Sequence, residues 1–325
     1  MSISSILVLG AGAWGTALAS LAAPNVNNVR LWSRNQKIIK SIAEQKENSF
    51  YLPAIKLAEN ILPTRHLQGL SSNQAIILAV PSHAVREICQ KLSGLGLDEE
   101  IPIIICSKGM EAGTGLMMSE VVSSLLQNPI AVLSGPNFAK EVALGLPGGA
   151  SLACKDNKIA ENLRKILSSK NFITNINHDI IGTQAAGIIK NITAIACGAS
   201  INLGQNARAF IITLGFKEMN MLCKALGGKT ETLNESCGIG DLILTCTSEI
   251  SRNMSLGLEL SKGQGLARDV KMPEGFYAAE ALHKLSQKLG IYLPLCEAVY
   301  RLIFCGETAE EAILGLFTEQ MHTTS

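Results

Sequence analysis

Three groups of residues carry types and spacings suited to chemistry. Gly10, Gly12 and Gly15 fit G-x-G-x-x-G. They follow an apolar run over residues 3–9 and open a small-residue run, which is the strand-turn-helix context in which this spacing cradles a dinucleotide pyrophosphate. Gly10 permits the tight turn, Gly12 lets the backbone approach the phosphates, and Gly15 lets the helix pack close to the strand. The helix N-terminus then faces the anion. A glycine-rich turn with no ligand is the plainer alternative.

The second group centres on Lys190, which sits in a stretch (residues 182–203) that is apolar or small nearly all round. Such a stretch predicts a buried helix. Gln184, Lys190 and Asn191 interrupt it, which argues against a membrane span. A lysine there loses hydration, so its pKa should fall toward neutrality and allow proton exchange near pH 7. The alternative is a lysine that snorkels out or pairs with a buried carboxylate for structural reasons. Asp241, in Gly238-Ile239-Gly240-Asp241-Leu242-Ile243-Leu244-Thr245-Cys246, is the candidate partner.

The third group is Ser251-Arg252-Asn253, planar and neutral donors suited to a phosphate, or else a helix N-cap with solvated charge. Glu274 is a loop carboxylate able to reach a cofactor ribose or amide.

The elements that position these groups follow from hydrophobic patterning. Residues 29–32 read as a second strand, and Ser33 and Arg34 stand where an NAD-preferring protein usually carries an acidic residue. A carboxylate would repel a 2′-phosphate, whereas Ser33 can donate to it and Arg34 can pair with it, so NADPH is expected to be preferred. The alternative is that Arg34 is a solvated helix-start residue. Residues 36–46 look helical, and a loop with Pro53 and Pro63 follows.

Residues 75–80 form a continuous apolar run, stopped by Pro81, that suits a strand buried on both faces. Ser82 is a good N-cap for the next helix, and His83 reads as a structural or cofactor-edge residue sooner than a catalytic one. Residues 101–106 repeat the pattern and end at Lys108, placed beyond a strand C-terminus where ligands of doubly wound sheets bind. An ordinary surface lysine is the alternative there. Residues 130–133 lead into Ser134-Gly135-Pro136-Asn137-Phe138-Ala139. The turn's N–H groups suit an anion or a carboxamide, and Asn137 suits a substrate hydroxyl.

Two more strands, at 149–153 and 172–176, flank a helix over 157–167. The alternation implies an α/β, doubly wound parallel sheet over 1–181, and the remainder, 182–325, reads as all-helical with frayed last residues.

A net charge of +1 gives no global attraction to nucleic acid or to anionic membrane. Nine cysteines without a C-x-x-C pair argue for reduced thiols in the cytoplasm, and no secretory signal is apparent. The five histidines are scattered, so no metal site is indicated.

These motifs, in this order, resemble the bacterial NAD(P)-dependent glycerol-3-phosphate dehydrogenases. The matching stretches are residues 10–16, 80–83, 107–109, 134–139, 187–191, 238–246, 251–253 and 274–276, which span nearly the whole chain. The resemblance implies a Rossmann domain followed by an all-helical domain. It also implies reversible reduction of dihydroxyacetone phosphate to sn-glycerol 3-phosphate, a phospholipid precursor, with NADP(H) or NAD(H) and without a metal.

Lys190 is then the proton-transfer residue, with Asp241 orienting it, and Lys108 touches both cofactor and substrate. Lys108 and Asn191 stabilise developing charge. Gly135, Asn137, Asp241, Thr245, Ser251, Arg252 and Asn253 belong to the substrate site. Ala13, Trp14, Arg34, Pro81, Gly135, Ala139, Arg252, Met272 and Glu274 fall to the cofactor, with the three glycines and Ser33.

Many bacterial members carry Ser or Thr where Asn137 stands, and valines are common where Met272-Pro273 stands. Apolar helical surface makes a homodimer plausible. Two other readings are a dehydrogenase for a different hydroxy or keto acid, which gives no reason for Ser251-Arg252-Asn253, and a dinucleotide sensor, which gives none for Lys190.

Overall fold

Short apolar runs separated by amphipathic stretches are too brief for buried helices and pair as strands instead. The computed structural model describes residues 3–71, 73–263 and 272–322. The chain divides into two compact units. One takes the residues up to Ser107 together with Met118–Ile180, and the other takes Lys108–Met117 and everything from Ile181 onward.

The first unit alternates strands with helices in the order β1 (Ser5–Leu9), α1 (Ala13–Ala22), β2 (Asn28–Trp32), α2 (Gln36–Gln45), β3 (Ile61–Thr64), β4 (Gln74–Leu78), α3 (Val85–Ser93), β5 (Ile103–Ile105), α4 (Met118–Ser123), β6 (Ile130–Ser134), α5 (Ala139–Ala143), β7 (Gly148–Cys154), α6 (Asn157–Leu167) and β8 (Phe172–Asn177). The sheet order is β3-β2-β1-β4-β5-β6-β7-β8. Leu9 pairs with Trp32 on one side and Leu78 on the other. Gly10, Ser33 and Ala79 therefore leave the sheet side by side at its carboxyl edge, at the switch point where such sheets bind ligands. Ile76, Ile77 and Leu78 are fully buried, as a strand covered on both faces requires.

Three local expectations need correction. The sheet is parallel only through β6, because β7 runs antiparallel to β6 and β8 runs parallel to β7. The cause is the connection: α5 has five residues and rises about 7.5 Å. A strand the length of β6 spans about 17 Å. The chain therefore starts β7 from the edge where β6 ended.

The Pro63 loop contains a strand, β3, in which Pro63 pairs with Leu31. Its lack of an N–H is tolerated because β3 is the sheet's outer strand. Ser82 does not cap α3; it lies inside a 3-10 turn (Ser82–Ala84) that precedes the helix.

The second unit contains α7 (Ile180–Ala199), α8 (Gln205–Ala225), α9 (Asp241–Thr247), α10 (Arg252–Ser261), α11 (Glu274–Leu289), α12 (Pro294–Tyr300) and α13 (Ala309–His322). Every residue of α7 from Gly182 onward is buried. By length and composition α7 could cross a membrane, but 89% of its apolar window is buried inside the protein, which accounts for that composition.

Its small residues have a packing cause. A Cβ on Gly198 would lie 2.1 Å from the Met254 carbonyl oxygen, and one on Gly257 would lie 2.0 Å from that of Ile195, so α7 and α10 cross backbone to backbone. The excursion Lys108–Met117 joins this unit through Met110 and Met117, which bridge each other and are buried in the helical core.

Glu218 of α8 is 2% exposed, and its carboxylate accepts the backbone N–H groups of Leu295 and Cys296 (3.1 Å for Cys296) in the first turn of α12. Burial pushes the Glu218 carboxyl up to about 7, the two N–H groups oppose that rise, and in its ionised form it also faces the positive end of the helix. Glu218→Ala should lower unfolding free energy by about 2–4 kcal/mol, since two buried N–H groups lose their acceptors. Urea denaturation measures this, with kcat of the folded enzyme unchanged, and a loss below about 0.5 kcal/mol would contradict the role.

Candidate active site

At the glycine turn Gly10 has φ +115, and its N–H donates to the Trp32 carbonyl (3.2 Å). A Cβ on Gly10 would lie 2.8 Å from the Ala79 oxygen, and one on Gly15 would lie 1.8 Å from the Gly10 oxygen. Gly12 differs, because a Cβ there meets nothing within 4 Å. It faces open space at the head of α1, and no side chain caps that helix.

The first N–H groups of α1 have no acceptor within the helix. The buried indole Nε1 of Trp14 also has no hydrogen-bond partner. An open glycine, a helix N-terminus and an orphaned donor fit the pyrophosphate of a dinucleotide.

The turn has a support that was not legible in the sequence. Asn48, fully buried, donates from Nδ2 to the Ala11 carbonyl (3.0 Å) and to Thr16 Oγ1 (2.8 Å). Nothing in its surroundings, Glu47-Asn48-Ser49, marks it.

The other first-unit candidates divide by what their polar atoms already do. Ser33 is buried, and its hydroxyl accepts the Asn35 N–H (3.1 Å), while Arg34 is exposed. Pro81 heads the 3-10 turn before α3, and His83 is exposed within that turn. A Cβ on Gly135 would lie 2.8 Å from the Gly149 oxygen, so this glycine is required by the approach of β6 to β7. Asn137 donates its amide to the same Gly149 oxygen (3.0 Å), which fixes the orientation of its side chain. Ala139 opens α5.

In the second unit, Lys190 and Lys108 share one carboxylate. Lys190 Nζ lies 2.6 Å from Asp241 Oδ1, and Lys108 Nζ lies 2.6 Å from Asp241 Oδ2. Lys190 also donates to Thr245 Oγ1 (3.0 Å), and that hydroxyl in turn donates to the Asp241 carbonyl (2.6 Å). A wide π-type turn, Ser236–Gly240, leads into Asp241 at the start of α9.

Lys190 is 7% exposed and Asp241 1% exposed, whereas the Lys108 side chain is 20% exposed. Burial pushes the Lys190 ammonium down to about 8, and Lys108 adds to the effect while Asp241 opposes it. The lysine thus has both the lowered pKa and the carboxylate partner that had stood as alternatives.

A chain of amides braces this cluster. Asn191 donates to the Lys108 carbonyl (3.2 Å) and accepts from Asn253 Nδ2 (2.8 Å), and Asn253 Oδ1 accepts the Gly275 N–H (2.9 Å). Asn191, expected to stabilise developing charge, and Asn253, expected to bind substrate, both take part in this framework. Ser251 caps α10 by accepting the Met254 N–H (3.4 Å). Arg252, the first residue of α10, is exposed, Met272 is half-buried, and Glu274 opens α11 half-buried. Among the described residues no cluster of His, Cys, Asp or Glu is arranged to hold a metal ion.

A doubly wound sheet with an open glycine turn, followed in the chain by a helical unit holding a buried lysine of lowered pKa, is the architecture of a two-unit nicotinamide-dependent dehydrogenase. Profiles described as NAD-dependent glycerol-3-phosphate dehydrogenase N-terminus and C-terminus match residues 5–160 and 179–314. The chain is 40% identical over 324 residues to the glycerol-3-phosphate dehydrogenase [NAD(P)+] of Myxococcus xanthus, covering 96% of each. It is 40% identical over 329 residues to that of Caulobacter vibrioides, covering 99% of each. The crystal structure of glycerol-3-phosphate dehydrogenase from Coxiella burnetii superposes with a TM-score of 0.89 at 35% identity, covering 97% of this chain and 98% of that one. The chain belongs to the NAD-dependent glycerol-3-phosphate dehydrogenase family.

The glycine geometry separates folding from binding. Gly12→Val should keep the thermal midpoint within about 2 °C and, with the open space at Gly12 assigned to the cofactor phosphates, weaken NADPH binding by roughly tenfold or more. Gly15→Ala should lose folded protein. Thermal melts and fluorescence titration check both, and unimpaired binding by Gly12→Val would contradict the assignment.

Proposed function

We propose that this chain is an NAD(P)-dependent glycerol-3-phosphate dehydrogenase. It interconverts dihydroxyacetone phosphate and sn-glycerol 3-phosphate, with NADPH favoured and the product serving phospholipid synthesis. The observation that carries the chemistry is the buried carboxylate of Asp241 holding Lys190 and Lys108 together.

The nicotinamide supplies the hydride when bound. The carbonyl oxygen gains negative charge as the ketone is reduced, and Lys190, protonated, gives its Nζ proton to that oxygen. In the oxidation direction the neutral amine takes the proton back. Lysine at its ordinary pKa of about 10.4 would seldom be neutral at physiological pH, and the fall to about 8 makes both forms accessible.

Lys108 contributes a second positive charge and stabilises the forming alkoxide as a fixed donor. Thr245 and Asp241 fix the position of Nζ on Lys190, and the Asn191, Asn253 and Gly275 chain fixes the backbone at Lys108. In this reading Asn191 and Asn253 act chiefly as positioning residues.

Arg252 supplies the phosphate contact. A cation at the first residue of α10 opposes the helix dipole, so the position costs stability unless an anion sits there. The phosphate then meets both the guanidinium and the helix N-terminus, and its binding helps orient the small reacting end.

The cofactor assignments at Ala13, Trp14, Arg34, Pro81, Ala139, Met272 and Glu274 belong to the same reading, as does a homodimer. A cytoplasmic site is supported by nine free thiols, eight of them buried.

NADPH oxidation with dihydroxyacetone phosphate, beside unphosphorylated dihydroxyacetone, tests the reading in one assay. Turnover should require the phosphate. Lys190→Ala should lower kcat by about 10²–10⁴-fold with little change in NADPH affinity. Arg252→Ala should raise KM for the phosphorylated ketone by roughly tenfold or more. Near-normal turnover in the first variant, or an unchanged KM in the second, would overturn the corresponding role.

A further inference from the structure

The carboxyl edge of the outer strand β3 carries basic residues that the reading above leaves unused. A depression of about 550 Å³ in the first unit is lined by Gln36, Ile39, Pro63, Thr64, Arg65 and His66. Two of the lining residues are basic in type and none is acidic. The Ser33 N–H donates to the Thr64 carbonyl (3.0 Å), so the end of β3 is hydrogen-bonded to the segment that carries Arg34.

Arg65 is exposed, and its Nη1 donates to a neutral acceptor, Gln36 Oε1 (3.3 Å), at the first residue of α2. Arg34 is placed differently, since Glu87 on α3 lies within its electrostatic reach.

The backbone that presents Arg65 is pinned from β2. The Trp32 indole donates to the Arg65 carbonyl (3.1 Å), and Arg30 Nη2 donates to the His66 carbonyl (2.8 Å). Thr64 Oγ1 accepts the His66 N–H (3.0 Å). A guanidinium on a fixed backbone loses less freedom on binding and suits a dianionic phosphate, to which it can donate in bidentate fashion.

In a sheet of this order the adenosine ribose lies beyond the end of β2, and a 2′-phosphate on it is what separates NADPH from NADH. We propose that Arg65, at the carboxyl end of the edge strand β3, is a second ligand for the 2′-phosphate and sets cofactor preference together with Arg34. The assignment rests on the NADPH reading given above and adds to it the residue that reads the phosphate from the β3 side.

The test uses the full chain and two probes, 2′,5′-ADP and 5′-AMP, titrated into wild type, Arg65→Ala and Arg65→Gln. Steady-state kcat/KM is measured beside them with NADPH and NADH. Wild type should bind 2′,5′-ADP more tightly than 5′-AMP. Both variants should lose roughly tenfold in that discrimination and in the NADPH-to-NADH ratio of kcat/KM, with the loss on the phosphorylated side, as expected for one charge-assisted contact. If wild type discriminates and both variants do so equally well, Arg65 is not a ligand and the NADPH reading stands. If wild type itself does not discriminate, the NADPH reading fails and this assignment falls with it.

Discussion

One buried carboxylate holding two lysines is the constraint on which the helical unit depends. Asp241 accepts an ion pair from Lys190 on one oxygen and from Lys108 on the other, both at 2.6 Å. Removing charged groups from water is costly, and a single pair gains back only part of that cost in mutual attraction. Here the charges do not cancel, because two cations meet one anion. The surplus of positive charge, with burial, weakens the hold of Lys190 on its proton. A simple neutral ion pair would have held the proton more firmly.

Much of the surrounding structure serves to keep that cluster dry and fixed. Helix α7 is buried around Lys190, and further along, at Gly198, its backbone meets that of α10 at Gly257. The Lys108–Met117 excursion reaches the helical unit through two buried methionines, and the Asn191–Asn253 amides hold the carbonyl of Lys108 itself. Glu218 satisfies the first turn of α12, whose Leu295 and Cys296 belong to the same core. In the first unit a comparable economy holds at the glycine turn. Gly10 and Gly15 are required by backbone contacts, and only Gly12 is left facing open space.

What was legible in the sequence was whatever rests on local pattern. The glycine spacing, the buried runs over β4 and β6, the span of α6 and the odd lysine within α7 could all be read from residue type and period. Strand direction was not legible, because an apolar run looks the same both ways. The reversal at β7 depends instead on the shortness of α5. Edge strand β3 was hidden by Pro63, a residue that only an outer strand tolerates.

The side-chain partners were the least legible. The pairing of Lys190 with Asp241 was within reach of charge reasoning, but Lys108 taking the other oxygen was not. Nor was the support Asn48 gives the glycine turn. Those contacts join residues 133 and 32 positions apart, respectively, and no periodicity spans such separations. Asn253 and Asn137, grouped by type with the ligand-binding residues, also donate to the protein's own framework, which residue type alone does not reveal.

Asp241 holds up the proton affinity of Lys190 against burial and the neighbouring charge of Lys108. The most direct measurement is the pH dependence of kcat in the reduction direction for wild type and Asp241→Asn. With Lys190 as the proposed proton donor, the wild-type rate should fall as pH rises through about 8. Removing the carboxylate removes the charge that raises the pKa of Lys190 and leaves Lys108 opposing it, so the falling limb should move to lower pH in the variant. An unchanged limb in a folded Asp241→Asn enzyme would show that the carboxylate does not set the proton affinity of Lys190.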